Sequence, residues 1–298
     1  MAGEGAHYGF NPIKEDVQNF IYQITSVDTP VYDDIGDSKA MQPVHTWQTR
    51  ALTTRADNAQ VEGASFTDTN VINTTLVTNV TQIISKVITV TETTQATDLY
   101  AIENAFGDQM VQRGAEFKTD CEHALIRGST ASGSATDSAR RLDGFFNVIS
   151  TNASAFASGT TFTEAHLNDL IRDINDAGGK AQDAYMGSVL RQRVSTFIAN
   201  NTRFMDQNEM KTVRPIGVYQ SEFFVVTLHF SRDIPNANEG STNAFMMLDT
   251  SQCTKAWLRT PVSFRLPKTN DAQRGVIIGE ATLAYGNEAS HGLRTVLS

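Results

Sequence analysis

The longest hydrophobic pattern in the chain runs from Thr97 to Gly128. Leu99, Ile102, Phe106, Met110, Phe117, Cys121 and Leu125 recur at steps of three, four or seven, which sets them on one face of a helix. Thr97 or Asp98 supplies an oxygen to cap its start, and Gly128 suits a left-handed end. The predicted rod, about residues 98–127, is roughly 45 Å long at 1.5 Å per residue, against an average helix of ~11–12 residues. Gly107 and Gly114 lie inside it one heptad apart, each costing about 1 kcal/mol relative to alanine. That spacing predicts an element packed close to the helix backbone.

The pattern changes period upstream. In TQIISKVITVTETT, residues 81–94, Ile84, Lys86, Ile88 and Val90 alternate with Ile83, Ser85, Val87 and Thr89, so a strand leads into the helix. Residues 44–80 hold few apolar side chains. Period-two segments around His45, Trp47 and Thr49, and around Thr75, Val77 and Asn79, flank a turn-rich centre from Asp57 to Asp68. A two-stranded ribbon results that cannot build its own core and must lie on something else. Residues 1–43 read as an arm. Its one short helix, on Ile13, Val17, Phe20, Ile21 and Ile24, stops at Ser26-Val27-Asp28-Thr29-Pro30, because the residue before proline avoids the α region. This arm too is expected to borrow a neighbour's surface.

Downstream, STASGSATDS (129–138) is a turn-rich linker. Thr161 and Glu164 have capping-box spacing ahead of a helix at 162–177, which Gly178-Gly179 ends. A short strand follows at Ala184-Tyr185-Met186, then a helix carrying Val189, Val194, Phe197 and Ile198. Strands at 213–219 and 223–230 flank Gln220-Ser221-Glu222. Across 140–243 this alternation reads as an inserted α/β subdomain. Strands at 245–248, 255–258 and 276–285 complete a chain of the α+β class.

Composition sharpens the picture. The 298 residues carry 24 Lys and Arg against 33 Asp and Glu, a formal charge of −9, with no basic face of the kind that grips phosphates. Charged residues are only 19% of the chain; abundant Thr, Asn, Ser and Gln suit surfaces that become protein contacts. Cys121 and Cys253 are far apart, outside any disulfide or zinc spacing, and Cys121 continues the apolar helix face. No apolar run reaches the ~18 residues of a membrane span and no signal-peptide core opens the chain, so a soluble, cytoplasmic protein is expected.

Catalytic patterns are missing. There is no Gly-x-Ser-x-Gly elbow, phosphate-binding lysine loop or His-Glu-x-x-His, and Gly178-Gly179-Lys180-Ala181 serves better as a helix end. The six histidines form no ligand pair, Asp120 and His123 read as a surface pair, and Asp33, Asp34 and Glu288 make no dyad or calcium loop. No catalytic, cofactor-binding or metal residue is expected, and no cofactor.

Three stretches carry a family resemblance. They are Ser26-Val27-Asp28-Thr29-Pro30 with His45-Thr46-Trp47-Gln48-Thr49; Thr81-Gln82-Ile83 through Thr94-Gln95-Ala96; and Glu280-Ala281-Thr282-Leu283 with Asn287-Glu288-Ala289-Ser290-His291-Gly292. In order and spacing the chain resembles the major head (capsid) proteins of tailed bacteriophages with the Hong Kong ninety-seven type fold, in particular the podovirus-type group. The resemblance implies an N-terminal arm (1–43), an extended E-loop (44–80), a P-domain (81–139 with 244–298) built on a spine helix, and an A-domain (140–243). It implies a non-enzymatic subunit of hexamers and pentamers, forming an icosahedral head around double-stranded DNA without sequence-specific binding. Scaffolding, portal and decoration proteins are its candidate partners, with no membrane. The place is the virion capsid, after assembly in the host cytoplasm. No scaffolding-like extension precedes the arm, so a separate scaffolding protein or none is expected.

Trp47, Arg50, Arg55, Glu62 and Phe66 are then the candidate intersubunit contacts, Gly107 and Gly114 the close-packing positions, and Arg113, Arg127, Arg140 and Arg141 the inward-facing basic residues. Ser221-Glu222-Phe223-Phe224 lacks the glycine expected in the family's A-domain hairpin. Covalent lysine–asparagine closure, used by some relatives, needs an E-loop lysine; none lies between Lys39 and Lys86. The alternative reading is a soluble enzyme or binding domain with an unrecognised site.

Overall fold

A computed structural model describes residues 27–53, 55, 57, 59–65, 71–134, 138–156, 160–201, 217–235 and 243–296. Three long strands carry the frame. They are Gln82–Thr91 (β4), Cys253–Leu266 (β10) and Ala272–Tyr285 (β11), in a four-stranded sheet of order β1-β10-β11-β4 whose first strand is Gly36–Lys39 (β1). The alternation read in the sequence fixes the faces of β4. Ile84, Ile88 and Val90 turn inward, while Ile83, Val87 and Thr89 turn to solvent.

Across the inner face lies the spine helix, Ala105–Arg127 (α3), burying Phe106, Phe117 and Cys121 against Ile84, Ile88 and Ile277. Burial pushes the Cys121 thiol up to about 12, as a core residue requires. The helix starts at Ala105, not at Thr97 or Asp98, and its 23 residues make a rod of about 35 Å. Asn104 caps it, its Oδ1 accepting from the Gly107 N–H at 3.0 Å. Ahead of it stand a five-residue helix, Glu92–Ala96 (α2), and a turn closed by a Leu99–Ile102 bridge with Ala101 at φ 60°. Leu99 and Ile102 still pack on the same cluster as Phe106, so the hydrophobic face continues although the helix does not. Gly128 is not left-handed, with φ −54° and ψ 135°. Glycine is needed there because a Cβ would meet the Ala124 and Leu142 carbonyl oxygens at 2.5 and 2.6 Å.

The close contacts expected at Gly107 and Gly114 fall elsewhere. Within the chain a Cβ at Gly114 would meet only Ile277 Cδ1, at 4.0 Å, and one at Gly107 meets its own cap, Asn104, at 3.3 Å. The tight positions are on the strand beneath. A Cβ at Gly275 would stand 2.7 Å from Phe106 Cζ, and one at Gly279 3.0 Å from Phe117 Cζ. Large rings on the helix rest on bare backbone in β11.

A second sheet has the order β5-β12-β9-β6-β8-β7, from Ala153–Phe156 (β5), Gly292–Val296 (β12), Asn243–Leu248 (β9), Asp183–Met186 (β6), Val225–Phe230 (β8) and Val218–Gln220 (β7). Two of these strands, β9 and β12, come from the stretch assigned by sequence to the P-domain. The helix Glu164–Asp176 (α5) covers one face with Leu167, Leu170, Ile171 and Ile174, joined by Leu190 and Val194 of Ser188–Asn201 (α6). Thr163, not Thr161, caps α5. Its N–H donates to His166 Nδ1 at 3.3 Å, so His166 takes the role foreseen for Glu164. Gly178, at φ 82°, ends the helix as expected. The opposite face meets the end of α3 through Leu125 and Ile126, and Phe145 of Phe145–Val148 (α4). The β7–β8 turn manages without glycine, because Ser221 Oγ accepts from the Phe224 N–H at 3.1 Å.

The described part of the arm, from residue 27, belongs to the body. Pro30 opens a short helix, Pro30–Asp34 (α1), at the first turn, where a missing N–H costs nothing. Val31 and Ile35 then bury beside Leu125 and Ile126 of the same chain. The Lys255 ammonium, itself buried, donates to the Tyr32 and Ile35 carbonyls, and Trp257 Nε1 donates to Asp37 at 2.7 Å. The expectation that this segment needs a neighbour fails over 27–40, because its own chain supplies that surface. The helix on Ile13 to Ile24 lies outside the described residues, as do 213–216 of the expected strand. No described helix is long and apolar enough to cross a membrane.

Candidate assembly surfaces

The ribbon forms as its period-two pattern predicts. Val44–Thr49 (β2) pairs antiparallel with Thr75–Val80 (β3), Trp47 opposite Val77. Its root is fixed by Asn79, whose amide donates to the Leu283 and Asp143 carbonyls at 2.8 and 3.1 Å and whose Oδ1 accepts from the Asp143 N–H at 2.9 Å. Trp47 belongs to that root. Its ring meets Tyr285 of the same chain edge-on at 5.1 Å, so it braces the ribbon on its own body. Arg50, Arg55 and Glu62 are exposed, and Phe66 lies outside the described residues. Sequence reasoning passed over the apolar side chains farther out, Leu52, Val61 and Val71, which are 84%, 82% and 84% exposed. A scan for isolated apolar residues in a polar loop would have found them.

A second apolar surface lies on the sheet face turned away from α3. The register aligns Phe264 with Val276 and Val87, and Val262 with Ile278, across β10, β11 and β4. Ile83, Val87, Val262 and Phe264 are each about half exposed, although they point the same way from one sheet. Lone exposed apolar residues are ordinary, but a contiguous patch marks a contact surface. The signal was present in Val262-Ser263-Phe264, an alternation too short to stand out.

Three of the four proposed basic residues are engaged. Arg113 pairs with Glu116 at 2.6 Å, Arg140 with the buried Glu280 at 2.7 Å, and Arg127 Nε donates to the Asp233 carbonyl at 2.5 Å. Arg141 is exposed; its backbone bridges Ala131, and its side chain makes no ion pair among the described residues. Asp120 and His123 do not pair with each other. Asp120 meets Lys86 at 2.7 Å and His123 meets Asp233 at 3.3 Å.

One cluster has the composition of a hydrolytic site. Cys253 Sγ stands 3.5 Å from His291 Nε2, and His291 Nδ1 accepts from the Asp249 N–H at 3.2 Å. Both residues are fully buried. Burial raises the thiol and lowers His291 to about 4, so the pair is a neutral thiol beside a neutral ring. No group of three or more metal-ligating side chains gathers among the described residues.

The profile of the SU10 major capsid protein family matches residues 3–298. The chain belongs to that family. The SU10-type subunit is also similar to a major capsid protein of Escherichia phage Phieco32, 24% identical over 96% of this chain and 95% of the relative. Among solved structures it resembles the capsid of a native GTA particle (TM-score 0.71, 12% identity, 98% of each chain). It also resembles a chain from Mycobacterium phage Bobi (0.69, 12%, 99% of each). A third match is the cyanophage A-1(L) capsid (0.67, 13%, 96% of this chain and 98% of that one). The fold is the Hong Kong ninety-seven type, and this SU10-type major capsid protein is a shell-forming subunit of a tailed bacteriophage.

Proposed function

We propose that this subunit assembles into hexamers and pentamers of an icosahedral head, and that its ribbon clasps the next subunit. The observation that carries this reading is a pair of unpartnered apolar surfaces in one chain. The outer ribbon presents Leu52, Val61 and Val71, and the outer sheet face presents Ile83, Val87, Val262 and Phe264. In the single chain both apolar surfaces stay uncovered, and the occupant proposed for the sheet face is the ribbon of another copy. Arg50, Arg55 and Glu62 would flank the contact as a polar rim, which supports register more than affinity. Gly114 leaves room for a neighbouring element on the spine.

The same reading divides the chain into arm, E-loop, P-domain and A-domain, with β9 and β12 counted in the A-type sheet. It gives the subunit no catalytic role and encloses double-stranded DNA without sequence-specific contacts. Assembly takes place in the host cytoplasm, with scaffolding, portal and decoration proteins as partners. The alternative, a soluble enzyme or binding domain, has among the described residues the Cys253–His291 pair in its favour, and that pair is buried. Deleting 56–68 from the full chain tests the clasp. The expected product folds, by circular dichroism, but gives few or no shells under negative stain. Normal shells from the deletion would overturn the reading.

A further inference from the structure

Where the spine helix meets the six-stranded sheet, three titratable side chains, two on α3 and one on β8, close one seam. Glu122, on the buried side of α3, accepts from the Tyr32 N–H at 2.6 Å and the Val31 N–H at 3.3 Å, both on α1. It also accepts from Ser231 Oγ at 3.2 Å, on the loop after β8. One residue on, His123 reaches Asp233 of that loop at 3.3 Å. His229, on β8, lies 3.2 Å from Asp183 of β6 and 3.7 Å from Asp34 of α1, stacked on Tyr185. Three pieces of chain that are remote in sequence are thus held by groups that gain or lose protons near neutrality. The shell-forming role uses none of them.

We propose that this seam is a proton-operated latch, which tightens as the medium acidifies and loosens as it turns alkaline. All three groups act in the same sense. Burial raises the Glu122 carboxyl to about 7, with Asp233 adding to the rise and the three donors opposing it. It therefore binds a proton more tightly in the closed seam than in an opened one. Closure is strongest at low pH and weakens as pH rises through about 7. The hydrogen bond to Asp233 raises His123, helped by Asp120 and opposed by burial and Arg127. The hydrogen bond to Asp183 raises His229, helped by Asp34 and opposed by burial and Arg191. Each imidazolium strengthens closure below its ordinary value, and that contribution fades as pH rises through the raised one. Asp183 would be raised by burial alone, but His229 and Thr250 hold it below the usual carboxylate range, so it stays ionised here. Tyr32 and Tyr185, which also face the seam, are pushed up by burial and remain protonated. Lys255, on β10, meets the Tyr32 and Ile35 carbonyls instead of Glu122.

A proton that binds only on closing changes the closing constant tenfold per pH unit where it titrates. Amide hydrogen exchange on the full-length chain, corrected for the intrinsic rate, reads this at residues 31–35 and 229–235. Opening there is expected to become at least about tenfold more frequent from about pH 5 to about pH 8. Glu122→Gln, neutral at every pH, should remove the part below about 7, and His229→Gln the part that begins at the ordinary imidazole value of 6.5 and runs upward. Exchange in β11 should not follow the same profile. A flat wild-type profile overturns the latch, and so does a slope that both variants keep. Should Glu122→Gln fail to fold, the wild-type profile and His123→Gln, on the exposed flank of the seam, decide the matter in the same way.

Discussion

A methyl group added at Gly114 meets nothing nearer than Ile277 Cδ1 at 4.0 Å, whereas one at Gly275 stands 2.7 Å from Phe106 Cζ. Gly114→Ala is therefore expected to stabilise the isolated subunit by up to about 1 kcal/mol through helix propensity. Gly275→Ala should destabilise it, because the rigid ring must shift. Urea denaturation of the two variants checks both signs, and a loss at Gly114 in the monomer would refute the open space found there. If Gly114→Ala folds well but no longer forms shells, the close approach lies across a subunit boundary. The two helical glycines stand out in sequence because they interrupt a helix-forming run. Gly275 and Gly279 do not, because the rings that demand them lie far away along the chain. Glu122 was hidden for a similar reason: its neighbours in sequence read only as helix, and only the fold brings Tyr32 and Ser231 to it.

Elements with strict periodicity were legible. The strand at 82–91, the ribbon at 44–49 and 75–80, and the body of α3 follow directly from their patterns. Boundaries were not, because Leu99 and Ile102 face the core from a turn as well as they would from a helix, and Asn104 competes better for the cap. Residues 27–40 of the arm were misjudged because the surfaces that hold them, Leu125 and Ile126 and the strand at 254–257, lie about ninety and more than two hundred residues later. At the same scale the ribbon excludes one way of closing a shell. An intersubunit isopeptide bond needs a lysine amine, deprotonated by burial near a carboxylate, to attack an asparagine amide. Arg50 and Arg55 cannot replace it, since a guanidinium stays protonated. Lys86, at the ribbon's base, is paired with Asp120 and Glu116, and the hydrogen bond to Asp120 raises it further. Boiled, reduced particles are expected to run as one band near 32.6 kDa, and a covalent ladder would refute this.

For the whole molecule, the formal charge of −9 works against adsorption of a polyanion. Arg113 and Arg140 are neutralised by Glu116 and Glu280, which leaves Arg141 as the principal exposed attraction among the four basic candidates. Purified subunits should bind duplex DNA weakly at physiological salt, and a filter-binding assay showing tight, salt-sensitive retention would contradict that. The order of the second sheet has a consequence of another kind. Strand β12, residues 292–296, sits between β5 and β9, whose residues are made some 140 and 50 positions earlier. On the ribosome β5 has no partner among the described strands until residue 296 has emerged, and the face under α5 stays incomplete until then. The second sheet thus cannot close before β12 has been made, so a nascent chain still short of that strand cannot present a finished surface to its neighbours.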